Sequence, residues 1–387
     1  MQLSRRIQQI SPFHVMDILA QAQQLEAAGH QVIHLEVGEP DFTTPAAVKH
    51  AAKQAIDNDQ TFYTPASGLP ALRQAIADYY ARRFSVEVDA RNILVTPGAS
   101  GALQLALAAV VDPGQTVLMA DPGYPCNRHF VRLLDGVTQR VAVDESTQYQ
   151  LNRQLLEASW TEQTVAVLLA TPSNPTGTLV DRQTLAEIIQ LVEARDAVLI
   201  VDEIYQGLVY EQAGFSALEL SRNLFVVNSF SKYFSMTGWR LGWLYAPAMY
   251  TQAINRLAQN LFLAAPSISQ HAALAAFEPE NLQRLDQQTA ELKQRRDFLY
   301  AGLQQLGFKL KVKPAGAFYI YADVSAFSDN SFDFCRELLK QAHVAITPGV
   351  DFGEYHAHQY VRFAYTQPVA QLQIALQRIS DFLHQQT

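Results

Sequence analysis

The sequence predicts an α/β protein. A large domain carries a mostly parallel sheet sandwiched by helices, and a smaller α+β domain is assembled from the N- and C-terminal segments. Three observations carry this reading. Apolar runs at 92–96, 116–120, 165–170, 197–202, 224–228 and 242–246 alternate with helical segments such as Pro70 to Arg82, Gly101 to Val111 and Asp181 to Ala194, the order expected of strand–helix–strand crossovers. Beyond about residue 283 the alternation stops. Finally, 387 residues at 49% hydrophobic are enough for more than one compact core. The expected division is a large domain over 46–283 and a small one over 1–45 and 284–387.

Taken in order, residues 14 to 29 place Met16, Leu19 and Ala20 on one helical face and end at Gly29. Val32 to Val37 reads as a short strand breaking into the turn Gly38-Glu39-Pro40-Asp41. The repeated strand–turn–helix units then run to about residue 246. A long polar helix follows at about Leu282 to Leu306. Apolar stretches come next at Ala317 to Tyr321, Ala345 to Thr347 and Tyr360 to Tyr365, with a closing helix from Val369 to His384. No internal repeat or low-complexity tract interrupts the chain.

Composition removes several function classes. The net charge of −8, from 29 basic and 37 acidic residues, is mild and unclustered, so no nucleic-acid partner is expected. Two cysteines, Cys126 and Cys335, support neither a disulfide framework nor a four-ligand zinc site, and no metal is expected. The first residues lack the apolar core of a signal peptide. No run approaches the roughly 20 apolar residues of a membrane span. The expectation is a cytoplasmic protein.

In parallel sheets flanked by helices, ligands bind beyond the carboxyl ends of the strands, so the residues that follow each run are informative. After 92–96 comes Pro97-Gly98-Ala99-Ser100-Gly101 and a helix; its free N–H groups suit a phosphate, although Gly and Ser also cap helices generally. After 116–120, Tyr124 stands at the strand tip, as an aromatic platform or a turn residue. After 165–170, prolines flank Asn174, which either presents an amide or forms an Asx turn. Asp202 closes 197–202 with Tyr205 nearby. A carboxylate there needs a cation or donors, in a site, a salt bridge or a cap. After 224–228 come Ser229, Lys232 and Arg240. A desolvated lysine becomes a nucleophilic amine, whereas a surface lysine merely snorkels. Together the five ends describe a pocket for a phosphorylated, aromatic, electrophilic cofactor.

These residues resemble the fold-type I, pyridoxal-phosphate-dependent aminotransferases of class I, over nearly the whole chain. The most specific match is Ser229-Phe230-Ser231-Lys232 with Gly238-Trp239-Arg240-Leu241-Gly242. It is joined by Asn174-Pro175-Thr176-Gly177, Asp202-Glu203-Ile204-Tyr205, Tyr63-Thr64-Pro65 with Gly68 and Leu72-Arg73, and Arg362. The resemblance implies a seven-stranded sheet in the large, cofactor-binding domain and a ping-pong transaminase acting on an L-amino acid and a 2-oxo acid. Lys232 would hold pyridoxal 5'-phosphate as an internal aldimine and then move the substrate α-proton. Asp202 would pair with the pyridinium nitrogen, and Tyr205 and Asn174 would hydrogen-bond the ring oxygen. Tyr124 would stack on the ring, where many relatives use tryptophan. The phosphate would sit on the Ala99–Ser100 backbone with Ser100, Ser229 and Arg240 as donors. Arg362 would clamp the substrate carboxylate, with Gly38 and Asn174 beside it. Tyr63 would cross from a neighbouring subunit, which implies a homodimer.

Aspartate-specific relatives carry a second cation, either an arginine in the segment Gln259 to Ala265 or a lysine at the place of Ser100. Neither is present here. An unpaired buried carboxylate costs several kcal/mol, so neutral, apolar or aromatic donors are expected, with 2-oxoglutarate as an acceptor. An aspartate-type aminotransferase and a carbon–sulfur lyase on the same scaffold are the alternatives. A non-enzymatic sensor would carry a DNA-binding module, and no basic recognition helix precedes residue 46.

Overall fold

The computed structural model describes residues 3–4 and 6–385. Along them run strands β1 (Ile33–His34), β2 (Ile93–Thr96), β3 (Thr116–Asp121), β4 (Val137–Ala142), β5 (Thr164–Ala170), β6 (Val198–Asp202), β7 (Phe225–Ser229), β8 (Gly242–Tyr245), β9 (Tyr319–Asp323), β10 (Val344–Ala345), β11 (Thr347–Pro348) and β12 (Tyr360–Ala364). Seven form one sheet in the order β2-β8-β7-β6-β5-β3-β4. β8 runs antiparallel to β2 and β7; the other pairs are parallel. The α/β architecture is therefore the expected one.

The pleat explains why β5 and β6 read as unbroken apolar runs. Ala166, Leu168 and Ile200 belong to a core shared with Leu103 and Leu107 of helix Gly98–Ala108. Val167, Leu169, Leu199 and Val201 point the other way, into a core shared with Leu185 and Ile188 of helix Arg182–Ala194. Each alternate residue is covered by a helix, so both faces must be apolar. Truncating Leu168 or Ile200 to alanine removes about 2–5 kcal/mol.

Two corrections to the expected strands have physical causes. β4 was missed: it is an edge strand with largely exposed or half-exposed residues, so Thr138, Gln139 and Arg140 break the apolar pattern. The stretch Ala345 to Thr347 is two strands. β10 pairs with β1 in parallel, whereas β11 pairs with β12, which in turn pairs with β9. The chain thus changes sheets at Ile346, and the N-terminal strand is stitched to C-terminal ones. Helix Gly98–Ala108 also begins three residues before its expected start, bringing Ala99 and Ser100 into its first turn. Among the described residues no helix is long and apolar enough to cross a membrane.

Candidate active site

A cavity of about 270 Å³ opens at the carboxyl ends of β2, β3, β5, β6 and β7. The connection from β7 to β8 supplies its reactive centre. Phe230 and Phe234 pack against Trp243 and Phe277, with ring centroids 5.0–6.3 Å apart. This aromatic cluster anchors both sides of Lys232, whose amine faces the cavity and donates to Gly38 O at 2.6 Å. Burial pulls the amine down from 10.5 to about 8, and Arg362 and Arg240 push the same way against Glu39 and Asp202. An amine near 8 has an appreciable free-base fraction at neutral pH, which an attack on a carbonyl requires.

Asp202 ends β6 and is buried. Ile204 N–H donates to its Oδ1 at 3.1 Å, and no cation stands within ion-pair distance among the described residues. Burial accordingly raises its carboxyl to about 6, opposed by the Ile204 donor and Lys232. Such an acid lacks a cationic partner and would accept a cationic N–H from a ligand.

Anion-binding geometry forms where helix Gly98–Ala108 starts. Its first-turn N–H groups have no helical partners and sit at the positive end of the dipole, and Ala99, Ser100 and Arg240 all line the cavity. Gly98 lies at φ +70, where a Cβ would come 2.7 Å from Arg240 Nη2. Gly242 is needed for a different reason: a Cβ there would meet Gly98 C and Ala99 N at 2.7 and 2.8 Å. Ser229 departs from expectation. It is 1% exposed, outside the cavity lining, and its hydroxyl lies 2.9 Å from Ser231 Oγ and 3.0 Å from Leu241 O. Ser231 reaches the lining instead, two residues beyond the strand end.

On the facing wall Arg362 is 4% exposed. Its Nη1 donates to Asn174 Oδ1 at 3.0 Å, and Nη2 donates to Thr347 Oγ1 at 3.1 Å and to Glu36 O. The guanidinium stacks 4.2 Å from the Tyr319 ring and 4.8 Å from Phe352. Nε has no acceptor, a costly vacancy that a carboxylate would fill. Gly38 is required here because a Cβ would lie 2.2 Å from Tyr319 Oη. Tyr205 and Tyr319 share a hydrogen bond of 2.9 Å between their hydroxyls, and burial holds both phenols above the usual range. Tyr124 lines the cavity, its phenol also raised by burial.

The fold thus gathers Gly38, Ala99, Ser100, Tyr124, Asn174, Asp202, Tyr205, Lys232, Arg240 and Arg362 around one cavity. Tyr63 is not among them: it is 85% exposed beside Phe62, itself 79% exposed. Sequence reasoning missed Ser231, Tyr319, Glu36 and the apolar residues Phe13, Val15 and Leu19. Met16 and Leu19 were legible as a helical face, but nothing in their spacing told that the face would meet this cavity.

An amine, an unpaired buried acid, a helix start with an arginine and an aromatic at the strand ends define a covalent, phosphate-anchored cofactor enzyme. Each feature fits one part of pyridoxal 5'-phosphate: Lys232 the aldehyde, Asp202 the ring nitrogen, and the Ala99–Ser100 turn with Arg240 the phosphate. The family model for aminotransferase class I and II matches residues 30–379, and the chain belongs to that family. It is 39% identical over 379 residues to the valine–pyruvate aminotransferase of Mycobacterium tuberculosis, covering 97% of each chain. It is 35% identical to an aspartate aminotransferase of Streptomyces avermitilis, covering 98% of this chain and 96% of the other. Among solved structures, an aminotransferase from Mycobacterium tuberculosis superposes with a TM-score of 0.96 at 38% identity, covering 100% of both chains. Aspartate aminotransferase from Thermus thermophilus with maleate superposes at 0.93 and 32% identity, covering 99% of this chain and 100% of that one. The protein is a pyridoxal-phosphate-dependent transaminase acting on an amino acid and a 2-oxo acid.

Proposed function

We propose that this transaminase prefers neutral, apolar or aromatic L-amino acids. The observation that carries the reading is the character of the cavity wall. Phe13, Val15, Met16, Leu19, Leu103 and Ile204 line it, and its cations are Lys232, Arg240 and Arg362, each matched to the cofactor or the α-carboxylate. A distal carboxylate would therefore be desolvated without a counter-charge. The valine–pyruvate aminotransferase similarity points the same way.

When bound, pyridoxal phosphate supplies the electron sink that stabilises a carbanion at the substrate α-carbon. The chain's residues do the rest. Arg362, supported by Asn174, would orient the α-carboxylate through its bare Nε–H and its positive charge. Lys232 Nζ would accept and return the substrate α-proton, its pKa near 8 suiting both. Asp202 would keep the ring nitrogen protonated, Tyr205 and Asn174 would donate to the ring oxygen, and Tyr124 would cover the ring. Ser100 and Arg240 would hold the phosphate. Ser229 contributes through Ser231, which its hydroxyl meets.

The same reading includes the large domain over 46–283 and the small one over 1–45 and 284–387. It also includes a cytoplasmic setting, in keeping with two unpaired cysteines, and a homodimer in which Tyr63 enters the neighbouring cavity. The exposed pair Phe62 and Tyr63 supports an interface there. A panel of amino acids mixed with the loaded enzyme, followed by the cofactor's visible absorption, tests the substrate class. Alanine, valine, leucine and phenylalanine should convert the spectrum fastest. Much faster reaction of aspartate or glutamate would overturn the apolar reading, and pyruvate with ammonia from cystine would indicate a lyase.

A further inference from the structure

The segment from β1 to Gly38 carries two main-chain carbonyls to the reactive wall. Glu36 O accepts from Arg362 Nη2 and from the Thr347 hydroxyl at 3.0 Å, and Gly38 O accepts from Lys232 Nζ. The backbone grip on this segment is brief. β1 pairs two residues with β10, Leu35 N–H donates to Ala345 O, and Ala364 N–H donates to Leu35 O. Past Leu35 the hold passes to side chains.

The carboxyl of Glu36 is fully buried. Its Oε1 lies 2.7 Å from His34 Nδ1, and its Oε2 has no partner. The other imidazole nitrogen, His34 Nε2, lies 3.2 Å from Glu26 Oε1. Glu26 belongs to helix His14–Ala27, whose Val15, Met16 and Leu19 line the cavity. A buried carboxylate with one bare oxygen is tolerable only while its remaining partner holds it. One ring therefore joins the support of Arg362 to the apolar wall.

We propose that His34 is a positioning residue for transamination: through Glu36 it fixes the carbonyl behind Arg362, and through Glu26 it docks the helix that meets the substrate side chain. It touches neither cofactor nor substrate. The Glu36 hydrogen bond, with the charges of Glu36 and Glu26, lifts the imidazole from 6.5 to about 9 against its burial. The charged groups that act on the ring are Glu36 and Glu26; His30 and His343, with ring centroids 4.4 Å apart, and Arg378, which donates to Gln31 O and His343 O, lie along the neighbouring backbone. Because its folded value is raised, the imidazolium grip is full below about pH 6.5 and fades as pH climbs through 9.

The inference rests on the aminotransferase reading and is tested on loaded wild-type enzyme beside His34→Gln, Glu26→Gln and His34→Lys. His34→Gln should raise the KM for the amino donor, and the dissociation constant of unreactive 4-methylpentanoate, roughly ten- to hundredfold. Its kcat should change by less than about threefold. Wild-type KM should climb between pH 7 and 9.5, a limb absent from His34→Gln; Lys232 is common to both proteins, so their difference isolates His34. His34→Lys should recover part of the affinity, and Glu26→Gln, which keeps the Glu36 contact should His34→Gln fail to fold, should lie between. Unchanged 4-methylpentanoate affinity in both glutamine variants, or an unchanged pH limb in His34→Gln, overturns the proposal. Failure of wild type to transaminate any amino acid would overturn the functional reading instead, while 4-methylpentanoate binding would still report on His34.

Discussion

The cavity has two unlike walls. The sheet-end wall, from Ala99, Ser100, Tyr124, Asn174, Asp202 and Lys232, is polar and set at the ends of strands buried on both faces. The opposite wall, from Phe13, Val15, Met16, Leu19, Glu36 to Gly38, Tyr319 and Arg362, is mostly apolar around one guanidinium. The first wall holds groups in poor solvation: an amine depressed to about 8 and an acid raised to about 6. The second holds a cation that is supported on two sides but keeps one donor bare. On the proposed reading, chemistry belongs to the sheet, where rigidity keeps costly groups in place, and selection to the segment that two short strands attach.

The largest effect that separates the walls is Lys232→Ala. It should lower kcat roughly 10⁴-fold or more while retaining cofactor weakly, read by single-turnover kinetics; near-normal turnover would place the chemistry elsewhere. Arg362→Lys should instead act on binding, raising KM for the amino acid roughly 10²- to 10³-fold. A defect confined to kcat would dissolve the distinction.

Asp202→Asn should lower kcat about 10²-fold, and it should have an opposite effect on the cofactor-free protein. The Asp202 carboxyl is raised from 3.8 to about 6 by burial. Its contribution to stability is therefore greatest when protonated, below about pH 4, and is lost as pH rises to 6. At pH 7.5 cofactor-free Asp202→Asn should be about 3 kcal/mol more stable than cofactor-free wild type, a gap that denaturant titrations should find closing toward pH 4. Equal midpoints at both pH values would mean the acid carries no strain. The smallest effect belongs to the apolar wall. Leu19→Ala should reduce kcat/KM for leucine relative to alanine roughly tenfold, and a uniform loss for both donors would deny it a selective role.

The two walls also differed in how far they could be read beforehand. Val198 to Val201 followed by Asp202 is legible because a strand covered on both faces must be apolar until it leaves the sheet. A polar residue at its end is then conspicuous. The same logic singles out Lys232, Arg240, Asn174 and Tyr124, which the fold brings to one cavity. β4 failed the test because one exposed edge removes the pressure for apolar residues, as Gln139 and Arg140 illustrate. Ser229 was expected at its strand end and stands there, but its hydroxyl is turned to Leu241 O and Ser231 Oγ, and the cavity lining is reached by Ser231, two residues past the end of β7.

By itself, then, the sequence determined the α/β class, the strand ends and the reactive groups attached to them, because these follow from local pattern and covalent order. Only the tertiary structure decided what stands opposite. That Met16 and Leu19 face Lys232 across more than two hundred residues, that Tyr319 forbids a side chain at Gly38, and that His34 links two acids behind Arg362 are facts of packing between distant segments. No short-range periodicity encodes such contacts, because they depend on how whole elements are brought together.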